Sequence, residues 1–309
     1  MKKYISKLFL FLLPLVFFAL FYLIISFTIL PKAMEKSIGP STKMQMDISF
    51  RNAAQNNYNL LIIGNSNIYT GINPDLLTIP SYNFSFNNDS YNQIYFKLLW
   101  LEKAGKKYNY LILGVDYFQF SVFTDSRNYA YNDYLGIDYQ ADYSSSKASS
   151  WPIETSNIKD IKRLKYLRYY LTGTQSKTYL KSNGQYINPG KATPEDKYTY
   201  SSTRLPIQEK YFEMILDFCK KNKTQVFLVM KPTRKNALQN YKEIEINEFN
   251  KYIIEHTNDS VFYFNFSNLP DYTYEDFTDI SHLNESAADR FTKYLNQILL
   301  DKIKSLEKP

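Results

Sequence analysis

The chain has 309 residues, 44% hydrophobic and 22% charged, with 37 Lys and Arg against 30 Asp and Glu, a net charge of +7. Lys2, Lys3 and Lys7 crowd the N-terminus, and the other charges are scattered without a basic stripe, which argues against nucleic acid as a partner. One cysteine, Cys219, rules out a disulfide framework within the chain; with two histidines set apart, neither a metal site nor a cofactor is expected.

Residues 8–30, LFLFLLPLVFFALFYLIISFTIL, carry no charge. At ~1.5 Å per residue, such a helix spans the ~30 Å hydrocarbon core of a bilayer. A cleaved signal peptide has a shorter apolar core, ~7–15 residues, and a small-residue cleavage site; ILPKAMEKS is a poor one. The expectation is an uncleaved transmembrane helix, with Pro14 tolerated inside it. The basic stub at 1–7 keeps the N-terminus cytoplasmic and places the rest outside the cell. Residues 31–57 read as a linker with a short helix.

From Tyr58 onwards, apolar runs alternate with helical periodicity. YNLLIIGNS (58–66) suits a buried parallel strand, IPSYNFSF (79–86) is a weaker strand, and YNYLILGVD (108–116) a third. Between the last two, 91–107 has helical spacing through Ile94, Leu98, Leu99 and Leu101, and stops at Gly105. Later come a helix over 207–222, in which Cys219 reads as a buried, inert thiol, then a strand over 224–232, a helix over 243–257, a strand over 260–268 and a closing helix over 284–308. Five strands alternating with helices predict an α/β fold with a parallel sheet.

Residues 117–205 break the pattern. They are rich in Tyr, Ser, Asn and Asp, with one helical piece at 158–173. The stretch is too long for an ordinary connection and keeps aromatics that a disordered segment lacks. Following the third strand, it reads as a lid or substrate-binding insertion over the carboxyl ends of the strands, where open α/β sheets bind ligands.

The chemistry starts at Ser66, in LLIIGNSNIYTGINP, on a turn from strand to helix. Ser, Asn and Gly are turn residues, but a serine so placed is also a candidate nucleophile. Its base must be a histidine. His256, near a helix end, suits the helix dipole. His282 follows Asp279 by three residues, between the last strand and the closing helix, so that Asp279 can fix the ring tautomer. Asn284 and Ser286 are candidate caps for that helix. Arg234, after the fourth strand, reads as either an anion-binding group or a solvated loop charge.

G-x-S after the first strand and D-x-x-H before the last helix resemble the motifs of the SGNH (GDSL-like) hydrolase superfamily, and more narrowly its membrane-anchored branch of DltD-type and alginate O-acetylation proteins. GINP (71–74) and HLNESAADRF (282–291) are similar to the usual continuations. The resemblance implies a three-layer α/β/α, flavodoxin-like fold and a triad of Ser66, His282 and Asp279. It further implies a serine esterase or O-acyltransferase acting on acyl, chiefly acetyl, esters of an envelope or exported polysaccharide, with a polytopic membrane acyltransferase as a partner. The chain departs from the family at the oxyanion hole. The second block has no glycine, leaving Gly64, Asn65, Asn87, Asn88 or a backbone N–H as donors. The third has Asp116 where the family has Gly-x-Asn-Asp, and an ionised carboxylate cannot donate. The alternative is a catalytically impaired protein of this fold that binds glycan or assists a membrane acyltransferase.

Overall fold

Five short segments become strands, four of them in apolar runs: β1 (Leu60–Ile63), β2 (Ser81–Asn83, the polar exception), β3 (Tyr110–Gly114), β4 (Gln225–Met230) and β5 (Val261–Asn265). They pair in parallel in the order β2-β1-β3-β4-β5. The helices are α1 (Lys2–Ile38), α2 (Thr42–Gln55), α3 (Ser66–Gly71), α4 (Tyr91–Lys103), α5 (Tyr117–Ser121), α6 (Leu167–Thr172), α7 (Pro206–Lys221), α8 (Lys235–Leu238), α9 (Glu243–Glu255) and α10 (Glu285–Leu306). This computed structural model describes residues 2–38, 42–123, 134, 167–172, 179–194, 203–239 and 241–306.

The chain divides into two units, Met1–Gln45 with Ser145–Thr178, and Met46–Ser144 with Tyr179–Pro309. In the first, α1 carries a 24-residue stretch, Leu10–Ala33, long and apolar enough to cross a membrane; Phe11, Phe17, Phe21 and Ile24 on it are exposed. The helix does not stop at Leu30 as expected. PKAMEKSI continues it to Ile38, since Ala, Met, Glu and Lys are good helix formers. Much of the supposed linker is therefore helix, as α1 and then α2. Of the helical piece expected at 158–173, residues 167–172 form α6; the rest lies outside the described residues.

The second unit holds the sheet, buried on both faces. Side chains alternate along a strand, so Leu61, Ile63, Leu111, Leu113, Val226 and Leu228 enter one core, and Leu60, Ile62, Ile112, Phe227 and Val229 the other. The first core is closed by Ile94 and Leu98 of α4, Phe212 and Ile215 of α7, Phe249 of α9 and Phe50 of α2. The second is closed by Ile68 of α3 and by Ala288, Phe291, Leu295 and Leu299 of α10. Each fully buried Leu or Phe contributes about 1.5–3 kcal/mol. Cys219, on α7, is buried, and desolvation pushes its thiol up to about 12. Caps end the helices where the sequence supplies them. Ser90 and Gln93 form a capping box on α4, and Asn284, rather than Ser286, caps α10 by accepting from Ala287 N at 2.9 Å.

One feature of the core had no signal in the sequence. Lys97 on α4 and Asp89 form an ion pair of 2.6 Å with side chains 1% and 0% exposed. Lys97 Nζ also donates to Phe84 O at 2.8 Å, so the pair clamps the 84–90 loop, which leaves β2, onto α4. Breaking a buried pair from one side costs about 3–5 kcal/mol, because it strands a charge. Lys97→Ala is expected to lose that much in urea unfolding followed by circular dichroism, and Lys97→Met with Asp89→Leu clearly less.

Candidate active site

The strand order reverses between β1 and β3, which opens a crevice at their carboxyl ends. Gly64 and Gly114 end the two strands. A Cβ on Gly64 would lie 2.8 Å from Ile68 Cγ1, and one on Gly114 would strike the same side chain. Two glycines thus let α3 settle onto the sheet, and α3 begins with Ser66. Asn65 caps it, its Oδ1 accepting from Asn67 N at 2.9 Å. As the first helical residue, Ser66 has an N–H with no intrahelical acceptor.

Asp116 ties the crevice together. Its Oδ2 accepts from Asn65 Nδ2 and Asn67 Nδ2, both at 2.9 Å, and its Oδ1 accepts from Gln119 N at 2.6 Å, capping α5. Asp116 is therefore a strut between the loops after β1 and β3 and supplies no oxyanion donor. Asn88 lines the cavity beside Ser66 at a positive φ of 54°; Asn87, half-buried, precedes it in the same turn.

The second half of the site is the loop after β5. Phe277 and Leu283 pair across it, and Thr278 N donates to His282 O at 2.8 Å, closing a tight turn. Inside the turn, Asp279 Oδ1 accepts from Ser281 N and His282 N, each at 2.9 Å. Asp279 Oδ2 faces His282 Nδ1 at 2.7 Å and accepts from Asn188 Nδ2 at 3.0 Å. Burial alone would raise the Asp279 carboxyl; the His282 ring and the two backbone N–H groups outweigh it and hold the carboxyl well below the usual range. A carboxylate on Nδ1 leaves Nε2 as the acceptor nitrogen, and His282 Nε2 is buried with no hydrogen-bond partner among the described residues.

Ser66 and His282 line one cavity of about 210 Å³, together with Asp116, Phe118, Met230, Lys231, Tyr241 and Ile280 among others. No hydrogen bond joins Ser66 to His282; in free enzymes such bonds are often long and tighten on substrate. His256 stands apart, capping α9 with Nδ1 2.8 Å from Tyr252 O. Arg234 is not a solvated charge. It is 2% exposed and donates to the carbonyls of Asp279, at 3.3 Å, and Thr193, at 2.8 Å, bracing the turn from below.

Part of the insertion reaches the site. Residues 179–194 run along the carboxyl end of β2, with Asn83 N donating to Asn183 O and Tyr186 N to Tyr69 O, both at 3.0 Å. Gly184 turns there at φ +88°, against Asn83 O. The expected lid over the rest of 117–205 lies largely outside the described residues. The GINP segment is structural. Asn73 caps the 3₁₀ turn Pro74–Leu76, donates to Asp289 Oδ1 at 2.7 Å on α10, and accepts from Asn183 Nδ2 at 3.0 Å.

Sequence reasoning missed Lys231 and Asn188. Lys231 had a readable signal, a lysine closing the apolar run VFLVMK against a proline; Asn188 had none, lying in an insertion whose path the sequence does not reveal. Among the described residues, no group of three His, Cys, Asp or Glu side chains could hold a metal. No model of a known protein family matches the chain, and no curated protein is significantly similar to it in sequence.

The lowered Asp279 carboxyl sets a pH signature. A depressed folded-state value stabilises the fold above the ordinary aspartate range, ~3.9, and that gain is lost as pH falls below it. Asp279→Asn is expected to melt below wild type at neutral pH, and the gap to narrow steadily as pH falls from about 4 to 2, in thermal melts across that range. Partial exposure of the carboxylate keeps the gap small.

Proposed function

We propose that the protein is a membrane-anchored serine esterase or O-acyltransferase of SGNH type, working outside the cell on acyl esters of an envelope polysaccharide. The observation that carries this reading is the Asp279–His282 pair, 2.7 Å apart, with its unpartnered Nε2 at the cavity that Ser66 lines. The β2-β1-β3-β4-β5 order, which is that of flavodoxin-like folds, supports it as well.

In this reading Ser66 Oγ attacks the ester carbonyl and gives its proton to His282 Nε2. Asp279 holds the ring and stabilises the imidazolium that forms. The oxyanion develops against the Ser66 N–H at the start of α3, with the Asn88 turn as the facing wall. His282 returns the proton to the departing alkoxide, leaving an acyl group on Ser66. Water then releases the acid, or a sugar hydroxyl takes the acyl group; His282 is the base for either. Met230, Phe118 and Ile280 give the cavity an apolar wall suited to a short acyl chain. The apolar stretch of α1, with Lys2, Lys3 and Lys7 before it, would hold the domain at the outer face, within reach of a membrane acyl donor.

The test is intact-mass spectrometry of the full chain in detergent after exposure to a fluorophosphonate. One adduct mapping to Ser66 is expected, absent from Ser66→Ala, with p-nitrophenyl acetate turnover down about 10⁴-fold in His282→Ala. Turnover unchanged in Ser66→Ala would overturn the reading.

A further inference from the structure

Among the described residues lining the cavity, Lys231 is the only Lys or Arg, and the triad makes no use of it. It closes β4, is 5% exposed, and its stem passes Gly71, where a Cβ would lie 3.2 Å from Lys231 Cδ. Its Nζ donates to the carbonyls of Ser281 and of Pro232, the latter at 3.1 Å. The Ser281 carbonyl shares a peptide unit with the His282 N–H, and that N–H donates to Asp279 Oδ1 at 2.9 Å. A single peptide thus lies between an ammonium and a carboxylate. Hydrogen bonds in such a chain polarise and strengthen one another, more so away from water.

We propose that Lys231 is a positioning residue, whose ammonium acts through the Ser281–His282 peptide to hold the turn that presents His282 to the cavity, and so makes the site sensitive to alkaline pH. The proposal rests on Ser66 being the nucleophile. Burial opposes the ammonium and pulls Lys231 down to about 8, against two acids that favour it, Asp116 from the loop before α5 and Asp279 from the turn. The other groups around it are His282 on the same turn, Tyr117 of α5 and Tyr241 before α9 in the cavity wall, and Arg234, which donates to Asp279 O. The Phe277 ring lies 5.5 Å from Nζ. The direction follows from the charge. Below about pH 8 the lysine is protonated and the peptide is polarised from both ends; above it the amine is neutral and the hold on the turn weakens.

The experiment reads the rate of Ser66 phosphonylation by a fluorophosphonate, in the full chain in detergent, from pH 6 to 10. In that step Ser66 Oγ bonds to phosphorus, fluoride departs, and His282 takes the proton. Wild type should label fastest below pH 8 and slow by about tenfold by pH 9.5, one proton's titration. Lys231→Met should label about tenfold more slowly at pH 7 and lack the alkaline fall. Labelling of Lys231→Met at the wild-type rate, or with the same alkaline fall, overturns the proposal and leaves Ser66 as nucleophile; a wild-type protein that takes no label overturns both. NMR of lysine-selective ¹³Cε label needs no variant. A resonance titrating near pH 8 and missing from Lys231→Arg supports the proposal, and a wild-type spectrum in which every lysine titrates near the ordinary ~10.4 overturns it.

Discussion

Ile68 packs across Gly64 and Gly114, and the positions of Ser66, Asn65 and Asn67 in the crevice depend on that contact. The two glycines sit side by side at the ends of β1 and β3. With no Cβ between them and the helix above, α3 lies directly on the sheet. Its first residue, Ser66, then stands at the rim, and its cap, Asn65, comes within 2.9 Å of Asp116 on the next loop. A methyl group on either glycine would lift α3, move Ser66 and pull the Asn65 and Asn67 amides off the carboxylate that joins them.

The same sheet explains why polar residues gather there. Strands buried on both faces have no room for charge along their length, so the polar residues of these loops collect where the strands end. Lys231 follows directly on β4, Asp116 and Arg234 lie within four residues of the ends of β3 and β4, and the Asp279 turn comes after β5. Each is partnered. Asp116 is held by three N–H donors, Asp279 by two backbone amides, a histidine and an asparagine, and Arg234 by two carbonyls. His282 Nε2 is the exception among them, buried without a partner at the cavity. An unpaired acceptor of that kind costs stability.

The insertion after β3 is not simply a cover. Asn188 bonds the acid that orients His282, Thr193 receives Arg234, and Asn183 binds both the end of β2 and Asn73. A stretch that reads as a lid thus includes part of the frame of the site. The Lys97–Asp89 pair has the same function on the other side, fixing the loop that carries Asn88.

The sequence by itself determined the five strands and the major helices of the sheet domain, because burial on one stripe or on both faces leaves a period that local pattern records. Ile94, Leu98, Phe291 and Leu295 are examples. It also determined the apolar span and the pairing of Asp279 with His282, three residues apart in one tight turn. Only the tertiary structure decided that Ser66 shares a cavity with a histidine 216 positions later. It alone showed that Arg234 is a buried brace, that Asp116 is a strut, and that Lys231 reaches the turn. Those roles depend on which carbonyls and amides each charge meets. Such partners come from chain segments far apart in sequence, and only the packing of the sheet and its helices brings them together.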